Sequence, residues 1–274
     1  MDEPTTTTSG RLRVLGHVVL FMFGCAFVLA LCSGIIPKLP GMWSELCLGC
    51  ATSVIAIGLT ALFVRWDGVN LSDVGATPER GSPLRFLMGF LIGSCIVSGW
   101  ALLCIVSGYV RWTFQPTAGG LSAYVALTAY LALACREELS FHGYPLRRLQ
   151  QTWGVWSGQV FVAIVFALEH RLGGSPWVRV IFGAFVGSLL FGMASIATRG
   201  LAVPIGVHAA WNFGTWLLGM KGQGGVWRQV VEPGNERNAE IFGMAAYVAV
   251  LGTAIFLFWN YFRRTSNVRS GARN

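Results

Sequence analysis

Residues 124–142 read YVALTAYLALACREELSFH. An apolar run from Tyr124 to Cys135 closes on Arg136, two adjacent glutamates, Glu137 and Glu138, and then His142. Ionisable side chains in hydrocarbon are costly, and they usually face a cavity, a partner or a substrate. Two more polar clusters interrupt apolar sequence downstream, Phe166-Ala167-Leu168-Glu169-His170 and His208-Ala209-Ala210-Trp211-Asn212. Carboxylates, imidazoles and a carboxamide in such a setting point to water-activating chemistry inside a membrane.

The composition agrees. Of 274 residues, 54% are hydrophobic and 12% charged, about half the charge of a soluble domain. A span needs about 20 mainly apolar residues. The candidate spans are 14–36, 43–64, 84–108, 121–141, 155–170, 178–198, 203–220 and 240–262. The expected fold is therefore all-α: a polytopic membrane bundle of about eight helices, with its catalytic core in the C-terminal half. The chain divides into a disordered tail at 1–10, N-terminal spans and a loop at 11–120, a core at 121–220, and a loop, last span and basic tail at 221–274. Stretches 65–83 and 221–239 are expected to be loops, and the last residues from 265 to be irregular. No internal repeat is visible.

Arg11 and Arg13 precede an apolar run, Val14 to Ile36, that is too long for a signal-peptide core. It is expected to be a retained first span. With these spans, most of the 20 basic residues fall in segments on the same side of the membrane as the N-terminus, so both termini are expected in the cytoplasm. In a bacterial host the membrane would be the inner one. The net charge of +8 suits anionic lipid headgroups. The basic residues flank spans instead of forming one patch, which excludes nucleic acid as a partner. Seven cysteines are scattered, and the Cys47/Cys50 pair has no second pair to complete a metal site.

On a helix Glu138 and His142 share a face at i, i+4 and can hydrogen-bond, while Glu137 points about 100° away. His208 and Asn212 also stand at i, i+4. An imidazole ligates a metal or positions a water, and a carboxamide donates to a developing oxyanion. Each cluster alone admits a plainer reading. Glu137 and Glu138 would mark a solvated helix end beside Arg136, His170 would be interfacial, and His208 with Asn212 would be hydrogen-bond glue between helices. Their joint occurrence favours a site. Glu169 and Arg171 are expected to pair with each other, and His17 to be incidental.

These residues, in this order, resemble the CAAX protease and bacteriocin-processing (CPBP, or Abi) family, which contains the type II CAAX prenyl endopeptidases. The first motif, Glu-Glu-x-x-x-Arg, often extended as Phe-Arg-Gly, is matched by Glu137, Glu138, Phe141 and Gly143, with His142 at the Arg position. The second, Phe-x-x-x-His, is matched by Phe166 and His170, and the third, His-x-x-x-Asn, by His208 and Asn212. The stretch from Asp67 to Gly75 is similar to the family's lead-in. The resemblance covers roughly 121–220.

It implies an intramembrane endopeptidase that hydrolyses a membrane-anchored peptide or protein in the bilayer, in CAAX-type processing. The catalytic residues it implies are Glu137, Glu138, His170, His208 and Asn212, supported by His142 and Phe166. Glu137 would activate water and Asn212 would hold the oxyanion. His170 and His208 would position that water or, with Glu137, ligate one divalent metal such as zinc. Two histidines and a glutamate are an adequate zinc set, yet no His-Glu-x-x-His helix is present. Arg is always charged whereas His titrates near neutrality. The substitution at His142 thus keeps open a non-catalytic scaffold or inactivated member. A proton-coupled transporter is a more distant alternative, without repeat symmetry to support it.

The span edges leave a geometric tension. If the fourth helix ends near 141, a fifth helix over 155–170 carries His170 about 20–25 Å from its start, away from Glu137. Convergence then needs a longer fourth helix or a displaced fifth, with the Gln150–Gly158 stretch supplying the freedom.

Overall fold

In hydrocarbon a backbone must satisfy its own hydrogen bonds, so long apolar runs become helices. The N-terminal half gives three: α1 (Thr8–Ile35), α2 (Trp43–Asp67) and α3 (Ser82–Val106). The computed structural model describes residues 7–115, 119–221 and 224–271, the side chains of 268–271 excepted. Thr7 caps α1 by accepting from the Gly10 N–H at 3.1 Å, so the chain is helical from Thr8, inside the tail expected to be disordered. Residues 1–6 of that tail lie outside the described residues. Gly68, left-handed at φ 66°, ends α2.

After β1 (Val110–Phe114) comes α4 (Gly120–Glu137). It does not stop near 141. It widens into a π-helical segment, Glu138–Gly143, and continues as α5 (Tyr144–Trp153). Pro145 explains the widening: it has no N–H for the turn behind it, and its ring crowds the carbonyl four residues back. The rod from 120 to 153 is about 50 Å long. Gly154, at φ 88°, then reverses the chain into α6 (Val155–Leu172), which packs back against α5. Glu137 and His170 stand at nearly equal sequence distances on either side of Gly154, so the hairpin brings them to one level. That resolves the tension left by the shorter fourth helix.

A second π-helical segment, Arg179–Phe185, leads into α7 (Val186–Thr198), followed by α8 (Ala202–Leu217), β2 (Trp227–Val231) and α9 (Glu236–Gly271). β1 and β2 pair antiparallel, Val110 opposite Val231 and Phe114 opposite Trp227. The stretch 221–239, expected to be a loop, thus holds a strand and the start of α9. The C-terminal residues from 265, expected to be irregular, are helical through Gly271. Five helices are long and apolar enough to cross a membrane: Thr8–Ile35, Trp43–Asp67, Ser82–Val106, Arg179–Thr198 and Glu236–Asn267, among the described residues. The other three proposed spans form α4, α6 and α8, of 18, 18 and 16 residues, which carry the polar clusters. Phe23, Val54 and Leu102 on the outer helices are exposed, as lipid-facing residues are.

Close glycine contacts fix the inner helices. A Cβ at Gly89 of α3 would sit 2.2 Å from the Val203 carbonyl oxygen of α8, and one at Gly93 2.5 Å from that of Val207. Gly89 and Gly93 are spaced as small-xxx-small, the pattern that lets helix backbones touch in membranes. Similarly, Gly49 of α2 lies against Ala132 of α4, and Ser53 donates to the Ala132 carbonyl at 3.0 Å.

A buried polar knot joins α1, α2 and α5. Asp67 accepts from Arg148 Nε at 2.7 Å, from the Tyr144 hydroxyl at 2.9 Å and from His17 Nδ1 at 2.6 Å. His17 also stacks on Trp66, with centroids 4.3 Å apart. It is therefore a structural ligand of Asp67, correcting its reading as an incidental residue.

The glycine contacts carry a test. Gly89→Ala and Gly93→Ala should each cost about 1–3 kcal/mol by overpacking, seen as a lower melting temperature in detergent. Gly99→Ala, with nothing within 4 Å of its new methyl, should leave it unchanged. Equal shifts for all three would show that the α3–α8 contact does not depend on the missing side chains.

Candidate active site

A fully buried carboxylate organises the site. Glu138, in the first π-helical turn, has no exposed surface. Its Oε2 accepts from His142 Nδ1 and its Oε1 from His208 Nδ1, each at 2.8 Å. His142 Nε2 in turn hydrogen-bonds the Ser188 hydroxyl of α7 at 3.0 Å. The Ser195 hydroxyl donates to the His142 carbonyl at 3.0 Å. Three segments, the π-helical turn, α7 and α8, thus meet around one carboxylate. His142, at the position of the family Arg, bonds the carboxylate with an imidazole.

Because His208 donates through Nδ1, its Nε2 is turned toward Glu137, 3.5 Å from Oε2. Its ring stacks on Phe191, with centroids 4.0 Å apart and planes at 10°. The other oxygen of Glu137, Oε1, accepts from Arg136 at 3.0 Å. Arg136 also donates twice to Glu169 Oε1, at 2.8 and 2.9 Å. Glu169 therefore pairs across to α4, correcting the expected pairing with Arg171, which lies over the Trp177 ring. The reason is burial: Arg136 is almost fully enclosed and needs acceptors, whereas Arg171 reaches solvent.

His170 donates through Nδ1 to the Phe166 carbonyl at 3.0 Å, which leaves Nε2 as a free acceptor. The Phe166 ring lies 4.5 Å from that of His170 and 6.4 Å from that of His208, centroid to centroid. His170, His208 and Asn212 line a cavity of about 560 Å³ whose wall also carries the rings of Trp100, Phe166, Phe191 and Trp211 and the charged Arg179, Glu236 and Glu240. Glu137 is not part of the cavity wall among the described residues. It meets the cavity through His208.

Two members of the site carried no signal that sequence reading used. Phe191 is one. The other is Lys221, nine positions after Asn212, where it reads as an ordinary loop cation. Its Nζ donates to Asn212 Oδ1 at 2.5 Å and sits 5.1 Å from the Tyr130 ring centroid. Burial pulls its ammonium down to about 8, opposed by the Glu137 charge. The one available signal is Gly219, a helix-terminating residue that folds the chain back over α8.

No three His, Cys, Asp or Glu side chains are disposed to hold a metal ion among the described residues. Glu137, His170 and His208, which the resemblance offers as ligands, form no such cage. Each keeps one open donor atom, Oε2 of Glu137 and Nε2 of each histidine, the other being bound to Arg136, to the Phe166 carbonyl and to Glu138 respectively.

No curated protein matches the chain. Residues 119–214 match the model of the family described as "Type II CAAX prenyl endopeptidase Rce1-like". The matched stretch runs from the start of α4 almost to the end of α8 and contains every residue of the Glu138 cluster. Over that segment, about a third of the chain, the protein is similar to the type II CAAX prenyl endopeptidases.

Proposed function

We propose that the chain is an intramembrane endopeptidase that hydrolyses a peptide bond of a membrane-anchored polypeptide, in CAAX-type processing. One observation carries the reading. The buried Glu138 clamp fixes His208 on the wall of a cavity inside the bundle, with Nε2 facing a second carboxylate, Glu137.

The chemistry follows from the hydrogen-bond roles. A water held by Glu137 Oε2 and His170 Nε2 passes a proton to Glu137 as its oxygen attacks the carbonyl carbon. The C=O electron pair moves to oxygen. Asn212 Nδ2–H and the Nε2–H of a protonated His208 hold that oxyanion, and Glu138 balances the imidazolium. Collapse restores the C=O and breaks the C–N bond, and Glu137 returns its proton to the leaving amine. Arg136 occupies one oxygen of Glu137 and so orients the other. In this reading α4, α6 and α8 are the inner helices of a membrane bundle, and the basic residues set both termini on the cytoplasmic side.

In liposomes with a fluorogenic lipid-anchored peptide, Glu137→Ala and His208→Ala should abolish cleavage. Asn212→Ala should retain about one part in 10²–10³, the usual cost of one oxyanion donor. Full activity of Glu137→Ala would remove the catalytic reading.

Side-chain catalysis also predicts that a strong chelator leaves the rate within about twofold, since no ligand with metal-dependent chemistry is required. Loss on chelation, restored by zinc, would reassign Glu137, His170 and His208 as its ligands.

His142 fills its site. A Cβ at Gly192 would lie 3.0 Å from its Cδ2, so the longer Arg of the family pattern overpacks α7. His142→Arg should lower stability by about 1–3 kcal/mol, read as a falling melting temperature. An unshifted melting temperature with higher activity would show that the pocket accepts the family residue.

A further inference from the structure

A carboxamide holds an oxyanion only with its NH₂ side, and nothing in Asn212 itself decides which side that is. The Lys221 ammonium decides it, because an ammonium only donates. Its bond to Asn212 at 2.5 Å therefore engages Oδ1, and both Nδ2 hydrogens remain available.

The fold places Lys221 deliberately. Leu218 ends α8, and Gly219 turns left-handed at φ 70°. The Gly219 N–H donates to the Trp216 carbonyl at 2.8 Å, and the Met220 N–H to that of Thr215 at 3.0 Å. These paired bonds are a Schellman motif, which reverses the chain so that the next residue runs back along the helix. A Cβ at Gly219 would lie 2.2 Å from the Trp227 carbonyl oxygen, so β2 closes over the turn. The Tyr130 face of α4 supports the ammonium from the other side.

We propose that Lys221 is a positioning residue: it pins the Asn212 carboxamide by its oxygen, so that Nδ2 is presented to the substrate oxyanion. The inference deepens the proteolytic reading and rests on it for its kinetic consequence. The pin needs the charge. A neutral amine can also accept from Nδ2, and the carboxamide is then free to flip. Of the ionisable groups, Tyr130 and Glu137 on α4 act on Lys221 directly; His170 on α6, His208 on α8, Arg179, and Glu236 and Glu240 on α9 line the same cavity.

The experiment compares the wild-type chain with Lys221→Met, Lys221→Arg, Asn212→Ala and the double variant Lys221→Met/Asn212→Ala in liposomes. Lys221→Met should lower kcat about tenfold or more with KM nearly unchanged, and by no more than Asn212→Ala, which loses about 10²–10³-fold. Lys221→Arg should keep most of the rate and move the alkaline fall in activity to higher pH. The double variant should be no slower than Asn212→Ala alone, because Lys221 acts through Asn212. Wild-type kcat in Lys221→Met, or additive losses in the double variant, would overturn the proposal.

A second readout needs no turnover. The Asn212 side-chain amide resonances in micelles, assigned by their loss in Asn212→Ala, should shift in Lys221→Met and hold in Lys221→Arg. Unmoved resonances in Lys221→Met would overturn the proposal even for a protein that cleaves nothing. Failure of the wild type to cleave, with the shift present, would sink only the proteolytic reading.

Discussion

A carboxylate with no access to solvent must find its hydrogen-bond donors inside the protein. Glu138 finds two, both imidazoles, from different parts of the chain. Taking a charge out of water costs several kcal/mol, and leaving it without a partner costs about 3–5 kcal/mol. Helix α8 is therefore held in register against the π-helical turn by more than apolar packing. The His142 link extends the constraint to α7 through Ser188. The orientation of the His208 ring, and with it the direction of Nε2, follows from this one demand.

The demand could not be met if the helices stood at ordinary separations. The glycines of α3 let α8 approach within backbone contact, and Gly49 does the same for α2 against α4. The π-helical turn places Glu138 between the two imidazoles, and the reversal at Gly154 returns His170 to the level of Glu137. The Arg136 bridge between Glu137 and Glu169 then ties α6 to α4. Packing and polar pairing are coupled here, because each polar bond depends on close approaches that only small residues permit.

The helices were legible because their signal is local: apolar length and an interfacial charge boundary suffice to define them. The clusters at Glu137–His142, Phe166–His170 and His208–Asn212 stood out because polar atoms in apolar sequence need a reason. What local sequence could not carry was partner choice. Glu169 has Arg171 two residues away and pairs instead with Arg136. His17 and Asp67 are far apart in sequence and bonded in space. Strands β1 and β2 are short and gain their order from each other, so neither is visible alone. The continuation of α4 into α5 was hidden because the apolar run ends near 141, whereas the helix runs on through a π-helical turn as far as Trp153.

The sequence by itself determined that the chain is a helical membrane protein whose ionisable residues gather in three clusters. Hydrophobic length and the cost of charge in hydrocarbon are properties of composition and order. Only the tertiary structure decided which nitrogen of each histidine is engaged, that Glu137 faces His208, and that Lys221 grips Asn212 by its oxygen. Those are matters of direction at distances near 3 Å, and such directions are set by helix crossings and turns that bring together residues far apart in the chain.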